Sequence, residues 1–137
     1  MRIVARNLEH PEGPDRLPDG RIVFVETWTG RIRTVDLATG EVSLLADVGG
    51  GPNACCVDAL GNVLFTQNGG RWSSWSADRL VTAGIQKIDS MGQVTHLATE
   101  IDGVRCTAPN DLCFGHDGRL YFTDPGDWTS PGAVDPA

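Results

Sequence analysis

Three stretches of this chain share one design, and that repetition limits the folds open to it more than any other feature. Glu12-Gly13-Pro14 leads to the turn Asp19-Gly20 and then to Arg21-Ile22-Val23-Phe24-Val25. Pro52-Asn53-Ala54 leads to Leu60-Gly61 and then to Asn62-Val63-Leu64-Phe65-Thr66. Pro109-Asn110-Asp111 leads to Asp117-Gly118 and then to Arg119-Leu120-Tyr121-Phe122-Thr123. A glycine that accepts positive φ between two β-rich runs signals a hairpin, so each stretch predicts an antiparallel pair. Gly20 and Gly61 are 41 residues apart, whereas Gly61 and Gly118 are 57 apart. The longer interval fits an insertion after Thr66, a polar Gly/Ser-rich loop over 67–78 that carries Trp72 and Trp75. Two readings of that loop stand side by side: a flap folded over something beneath it, or a surface excursion with its own small apolar patch.

Each of the first two units supplies two further strands, over 30–36 and 41–45 in one and 84–89 and 93–97 in the other. All four alternate apolar and polar residues with period two, as half-buried strands do. No stretch has a helical period with caps, so the chain is expected to be all-β. Four short strands per unit of about 40 residues is the signature of a β-propeller blade. Blades are expected near 12–47 and 53–99. A third, over 109–124, holds only its first two strands. Residues 2–7 (RIVARN) are expected to form one more strand, of the kind that completes a last blade. The whole, residues 1–137, reads as one partial propeller domain of about two and a half blades, where a closed ring needs at least four. Such an arrangement bares a sheet edge and an inner surface, and predicts self-association. Beyond Asp124 the chain is turn-rich.

With 137 residues and 40% hydrophobic content, the chain is long enough for one small cored domain. A net charge of −7 excludes a non-specific nucleic-acid binder, which needs a basic face. No apolar run approaches the ~20 residues that cross a bilayer, and the N-terminus shows no signal-peptide pattern. A cytoplasmic protein, without membrane or nucleic-acid partners, is therefore expected. Cys55, Cys56, Cys106 and Cys113 lack zinc-site spacing and read as small buried residues in a reducing compartment. No GxSxG motif occurs, which argues against a serine hydrolase. Gly49-Gly50-Gly51 lacks the Lys-Ser/Thr of a phosphate loop and reads as a pliable approach to Asn53. His10, His96 and His116 are scattered, and Trp72, Trp75 and Trp128 read as aromatic packing on outer loops.

The innermost strand of a propeller blade starts near the central axis. The repeat places Glu12, Asn53 and Asn110 at that position, each beside a proline or Gly-Pro. One carboxylate and two amides are hard oxygen donors, suited to Ca²⁺, Mg²⁺ or Mn²⁺. The same residues beside proline also serve as turn formers and caps, and both readings stay open on the residues alone.

Four pieces give the chain a specific resemblance: Glu12-Gly13-Pro14, Gly49-Gly50-Gly51-Pro52-Asn53-Ala54, Pro109-Asn110-Asp111-Leu112 and Tyr121-Phe122-Thr123-Asp124-Pro125. In this order they resemble the N-terminal portion of the SMP-30/gluconolactonase/luciferin-regenerating-enzyme (LRE)-like family, six-bladed propellers with one divalent cation at the axis. The resemblance implies that Glu12 is a metal ligand, that Asn110 sits at the metal and substrate site, and that Asn53 lines it. It implies a divalent cation, Ca²⁺ foremost, with Zn²⁺, Mg²⁺ or Mn²⁺ as alternatives. It further implies metal-assisted hydrolysis of a small lactone or sugar-acid ester, with phosphotriester hydrolysis as a neighbouring activity. The family's further Asn ligand and its Asp, ligand and general base together, belong to later blades. No position here matches them, so the catalytic base is unassigned and the chain is expected to be catalytically incomplete. Asp111 and Asp124 belong to other motifs, and a structural hydrogen bond to a neighbouring turn is expected of Asp111. The reading of a different class is a non-catalytic partial propeller that works as an oligomerising or binding scaffold.

Overall fold

The computed structural model describes residues 2–126. Among them the fold is all-β, with one 3-10 turn at Thr27–Thr29 and no α-helix. Among the described residues no helix is long and apolar enough to cross a membrane.

The first sheet holds β1 (Pro11–Arg16), β2 (Ile22–Glu26), β3 (Arg31–Val35) and β4 (Val42–Asp47), antiparallel and in sequential order. The second repeats the plan with β5 (Pro52–Val57) and β6 (Val63–Gln67). Between its second and third strands it interposes a two-residue-per-strand hairpin, β7 (Arg71–Trp72) and β8 (Trp75–Ser76). β9 (Gly84–Ile88) and β10 (Val94–Ala98) complete that sheet in the order β5-β6-β9-β10. A small ribbon, β11 (Glu100–Ile101) with β12 (Val104–Arg105), precedes a third, two-stranded sheet of β13 (Leu112–Phe114) and β14 (Leu120–Phe122). Residues 2–7 form no strand, against the expectation of one. A strand needs an edge to pair with. This segment instead passes the β3–β4 turn, where the Arg2 guanidinium donates to the Leu37 carbonyl.

The sheets stack face to face, and β5 shows how. Its neighbouring cysteines face opposite sides, as alternation requires. Cys55 joins Leu17, Val25, Ile32, Phe65 and Ile88 in a core between the first and second sheets. Cys56 joins Ala54, Leu64 and Leu112 in a second core, against the third sheet. A sheet covered on both faces reads as a continuous apolar run, and every residue of β6 is buried. The innermost strands of the first two sheets touch directly. A Cβ on Gly13 would lie 2.2 Å from the Ala54 Cα, so only glycine allows that approach. The Cys55 thiol donates to the Gly13 carbonyl at 3.0 Å, and the Val57 N–H to an Asp15 carboxylate oxygen at 2.7 Å.

The buried cysteines fit the expectation of small apolar residues, but Cys113 does not: it is exposed, and Cys106 is half-buried. Cys113 lies on the face of the third sheet opposite the Leu112 contact, where none of the described sheets packs. All four thiols are free. Burial, the largest influence, pushes the Cys56 thiol up to about 12.

Candidate active site at the inner strand ends

The three repeated site residues lie at the start of the innermost strands, and two of them, Glu12 and Asn53, stand beside a break in regular pairing. The register of β1 with β2 shifts between Glu12 and Asp15, and that of β5 with β6 between Pro52 and Cys55. Bulges of this kind re-aim side chains and collect at sites. The irregularity is held by a repeated hydroxyl. The Ala54 N–H donates to Thr66 Oγ1 at 2.9 Å, and the Asp111 N–H to Thr123 Oγ1 at 3.1 Å. Both threonines stand five residues past their turn glycine. The Thr66 hydroxyl also donates to the Asn110 carbonyl at 2.7 Å, tying the second sheet to the third where Asn53 and Asn110 emerge.

One residue further on, each unit carries a polar side chain that braces the loop before its site residue. A Glu26 carboxylate oxygen accepts from the Glu9 N–H at 3.1 Å. Gln67 Oε1 accepts from the Gly51 N–H at 2.7 Å, while its Nε2 donates to the Gly49 carbonyl at 3.0 Å. Asp124 accepts from the N–H groups of Thr107 at 2.7 Å and Ala108 at 2.8 Å. Glu26 and Gln67 are buried, and Glu26 is paired with Arg33 at 3.1 Å. Sequence reasoning missed this set, although a polar residue six past each turn glycine was its signal. The triglycine is held rather than pliable. A Cβ on Gly50 would meet Gln67 Oε1 at 2.3 Å, and the Gly50 N–H donates to the Arg79 carbonyl at 2.8 Å. Asp111 accepts from its own neighbour, the Leu112 N–H, at 2.8 Å, and from no neighbouring turn.

Asn53 and Asn110 line one open cavity of about 670 Å³. Asn68 adds a third amide, Leu80 and Val81 an apolar wall, and the inserted hairpin contributes Arg71 and Trp72. The insertion therefore covers a cavity, the first of its two expected roles. Glu12 is not among the residues lining this cavity; its side chain is 48% exposed, with one carboxylate oxygen 3.6 Å from His10 Nε2. His10 stacks on Trp28 (4.9 Å between centroids, 10° between planes) and meets the cavity's Trp72 at 6.2 Å. Of the other tryptophans, Trp75 is half-buried in β8, and Trp128 lies outside the described residues. His96 contacts Gln86 across β9 and β10, and His116 sits in the β13–β14 turn.

Among the described residues no three His, Cys, Asp or Glu side chains cluster as metal ligands do. Glu12, Asn53 and Asn110 suit a hard cation in kind, all offering oxygen and none sulfur. Three donors fall short of the roughly six to eight oxygens that calcium takes.

The family profile described as SMP-30/Gluconolactonase/LRE-like region matches residues 10–135. The chain belongs to the SMP-30/gluconolactonase/LRE-like family. Among solved structures, a gluconolactonase from Xanthomonas campestris is 26% identical, with a TM-score of 0.73 over 89% of this chain and 37% of its own. A putative gluconolactonase is 22% identical, with a TM-score of 0.71 over 90% of this chain and 39% of its own. A virginiamycin B lyase from Staphylococcus aureus is 20% identical, with a TM-score of 0.63 over 85% and 35%. These last two likenesses show the fold alone. The SMP-30/gluconolactonase-like chain thus spans under two fifths of the structures it matches. No curated protein sequence matches it significantly.

Proposed function

We propose that this protein belongs to a divalent-cation-dependent hydrolase of the gluconolactonase type, acting on a small lactone or sugar-acid ester. The observation that carries the proposal is that Asn53 and Asn110 line one cavity, with the Thr66 hydroxyl bridging the backbone of their two sheets. In this reading Glu12 and Asn110 are ligands to the cation, Ca²⁺ foremost, and Asn53 lines the substrate side. A bound cation supplies Lewis acidity toward the lactone carbonyl. The chain's own part is placement: Thr66, Gln67 and Asp124 fix the backbone from which the donors project, and Trp72 shields the cavity mouth from water. Two protein ligands leave most of the roughly six to eight oxygen positions of calcium to water, so the 137-residue chain alone binds calcium weakly and turns over little substrate. Free thiols at all four cysteines accord with a reducing, cytoplasmic setting.

The test is calorimetric titration with CaCl₂ beside a pH-stat assay of an aldonolactone, with and without chelator. Weak calcium binding, on the order of millimolar, that disappears in Glu12→Gln supports the assignment. Calcium binding or turnover unchanged by Glu12→Gln refutes it. One observation favours a second reading, an oligomerising scaffold: the third sheet has two strands and exposes Phe114 (41%) and Tyr121 (51%). Sedimentation that finds only monomer at high concentration removes that reading.

A further inference from the structure

The cavity has an electrostatic character opposite to that of the chain. The sequence carries 18 acidic against 11 basic residues, yet among the described residues no carboxylate lines the cavity, and Arg71 is the one charged side chain that does. Arg71 comes from the inserted hairpin, is exposed, and forms no ion pair among the described residues. Around it stand the amides of Asn53, Asn68 and Asn110. The Asn68 Oδ1 accepts from the Gly70 N–H at 2.8 Å. Trp72, next to Arg71 in β7, offers an apolar face 38% exposed, suited to the C–H face of a sugar ring. A neutral polyol needs no guanidinium, whereas the planar fork of Arg matches the two oxygens of a carboxylate. A phosphate dianion is the poorer match, because among the described residues no second basic side chain and no helix N-terminus faces the cavity.

We propose that Arg71 forms a subsite for a carboxylate at the far end of the substrate, so that the preferred ligand is the lactone of a sugar diacid rather than of a simple aldonic acid. This rests on the lactone reading given above and adds the substrate's charge to it. The hairpin places Trp72 beside the ring and Arg71 beside its terminal anion, while the three amides face the ring's oxygens.

The probes are glucaro-1,4-lactone and glucono-1,4-lactone, which differ at C6 as carboxylate and hydroxymethyl. Both are titrated into the 137-residue chain by ligand-observed NMR. The diacid lactone is expected to bind about tenfold tighter or more, the worth of one charge-assisted contact. Arg71→Gln is expected to erase the preference and leave gluconolactone affinity within about twofold, and Arg71→Lys to keep part of it. Coincident thermal melts show that these exposed substitutions leave the fold intact. Equal affinity of the native chain for both lactones, or a preference that survives Arg71→Gln, overturns the subsite and spares the lactone reading. Arg71-dependent binding of open-chain glucarate with no binding of either lactone supports the subsite and overturns the lactone reading. Failure of all three ligands to bind overturns both.

Discussion

Thr66→Val separates a hydrogen bond from packing more cleanly than any other change in this molecule. The side chain is fully buried, 0% exposed, at the heart of β6. Valine has nearly the same shape, so the substitution opens no cavity. It does strand the Ala54 N–H and remove a partner of the Asn110 carbonyl, which Thr66 holds at 2.9 and 2.7 Å. A buried polar group left unpaired costs about 1–3 kcal/mol. The Ala54 N–H bears that cost in full, and the Asn110 carbonyl, nearer to solvent, bears less, for a net loss of about 2–3 kcal/mol. The repeat supplies its own control. Thr123 makes the equivalent bond to the Asp111 N–H at 3.1 Å but is exposed, so water replaces it in Thr123→Val. That change is expected to cost about 0.5 kcal/mol or less. Urea midpoints at constant m-value measure both losses. Amide exchange at Leu112 should also rise in Thr66→Val, because the tether between second and third sheets is gone. Equal losses in the two variants would refute the argument that burial sets the worth of this bond.

Further outcomes are checkable on the same protein. Gly13→Ala and Gly118→Ala share the strain of positive φ, 45° and 76°, but only the former drives a Cβ into the Ala54 backbone. Gly118→Ala should cost about 1 kcal/mol and Gly13→Ala at least about 3, read from chemical denaturation; similar values would undo the packing account of the inner strands. A thiol reagent at pH 8 should label Cys113 at once and Cys106 more slowly. Cys55 and Cys56, buried and held protonated, should react only in denaturant, and fast labelling of either in the native protein would contradict the two-core arrangement. The Asp36 carboxyl is held below its ordinary range by the N–H groups of Thr39 and Ala38, and Asp117 by the Arg119 N–H and the Tyr121 hydroxyl. Their folded-state values lie below the unfolded ones, so the unfolded chain binds more protons and stability rises with pH. Their contribution is full above the usual carboxylate value of about 4 and falls away as pH drops below it. Melts from pH 7 to 2 should show midpoints declining at the acid end, and a flat profile would count against these turn contacts.

The sheets were legible because their determinants are local. Alternation over 84–89 and 93–97, and glycine at the turn positions 20, 61 and 118, can be read without knowing any neighbour. Residues 2–7 misled for the same reason: RIVARN has the β-branched pair Ile3-Val4 that suits a strand, but a strand also needs an open edge, and edges are not written in the segment itself. Cys113 misled because a buried and an exposed cysteine look alike until the faces of the sheet are known. The site was legible only as three repeated positions. Its cavity depends on a hairpin inserted over 71–76 and on where the triglycine lets that insertion lie, both set by contacts between residues far apart in the chain. Glu26, Gln67 and Asp124 were in plain register, yet each ends or follows a strand, where a polar residue is unremarked.

The middle sheet is pressed from both sides, and β5 and β6 have almost no position left without a packed neighbour. Its sequence therefore has the least freedom to drift. Each side chain there meets a packed sheet on one side or the other, so variation between related proteins should thin out here and gather on β4 and β10, at the rim. An outer strand has more freedom, while a change at Phe65 must suit the first sheet and a change at Leu64 the third.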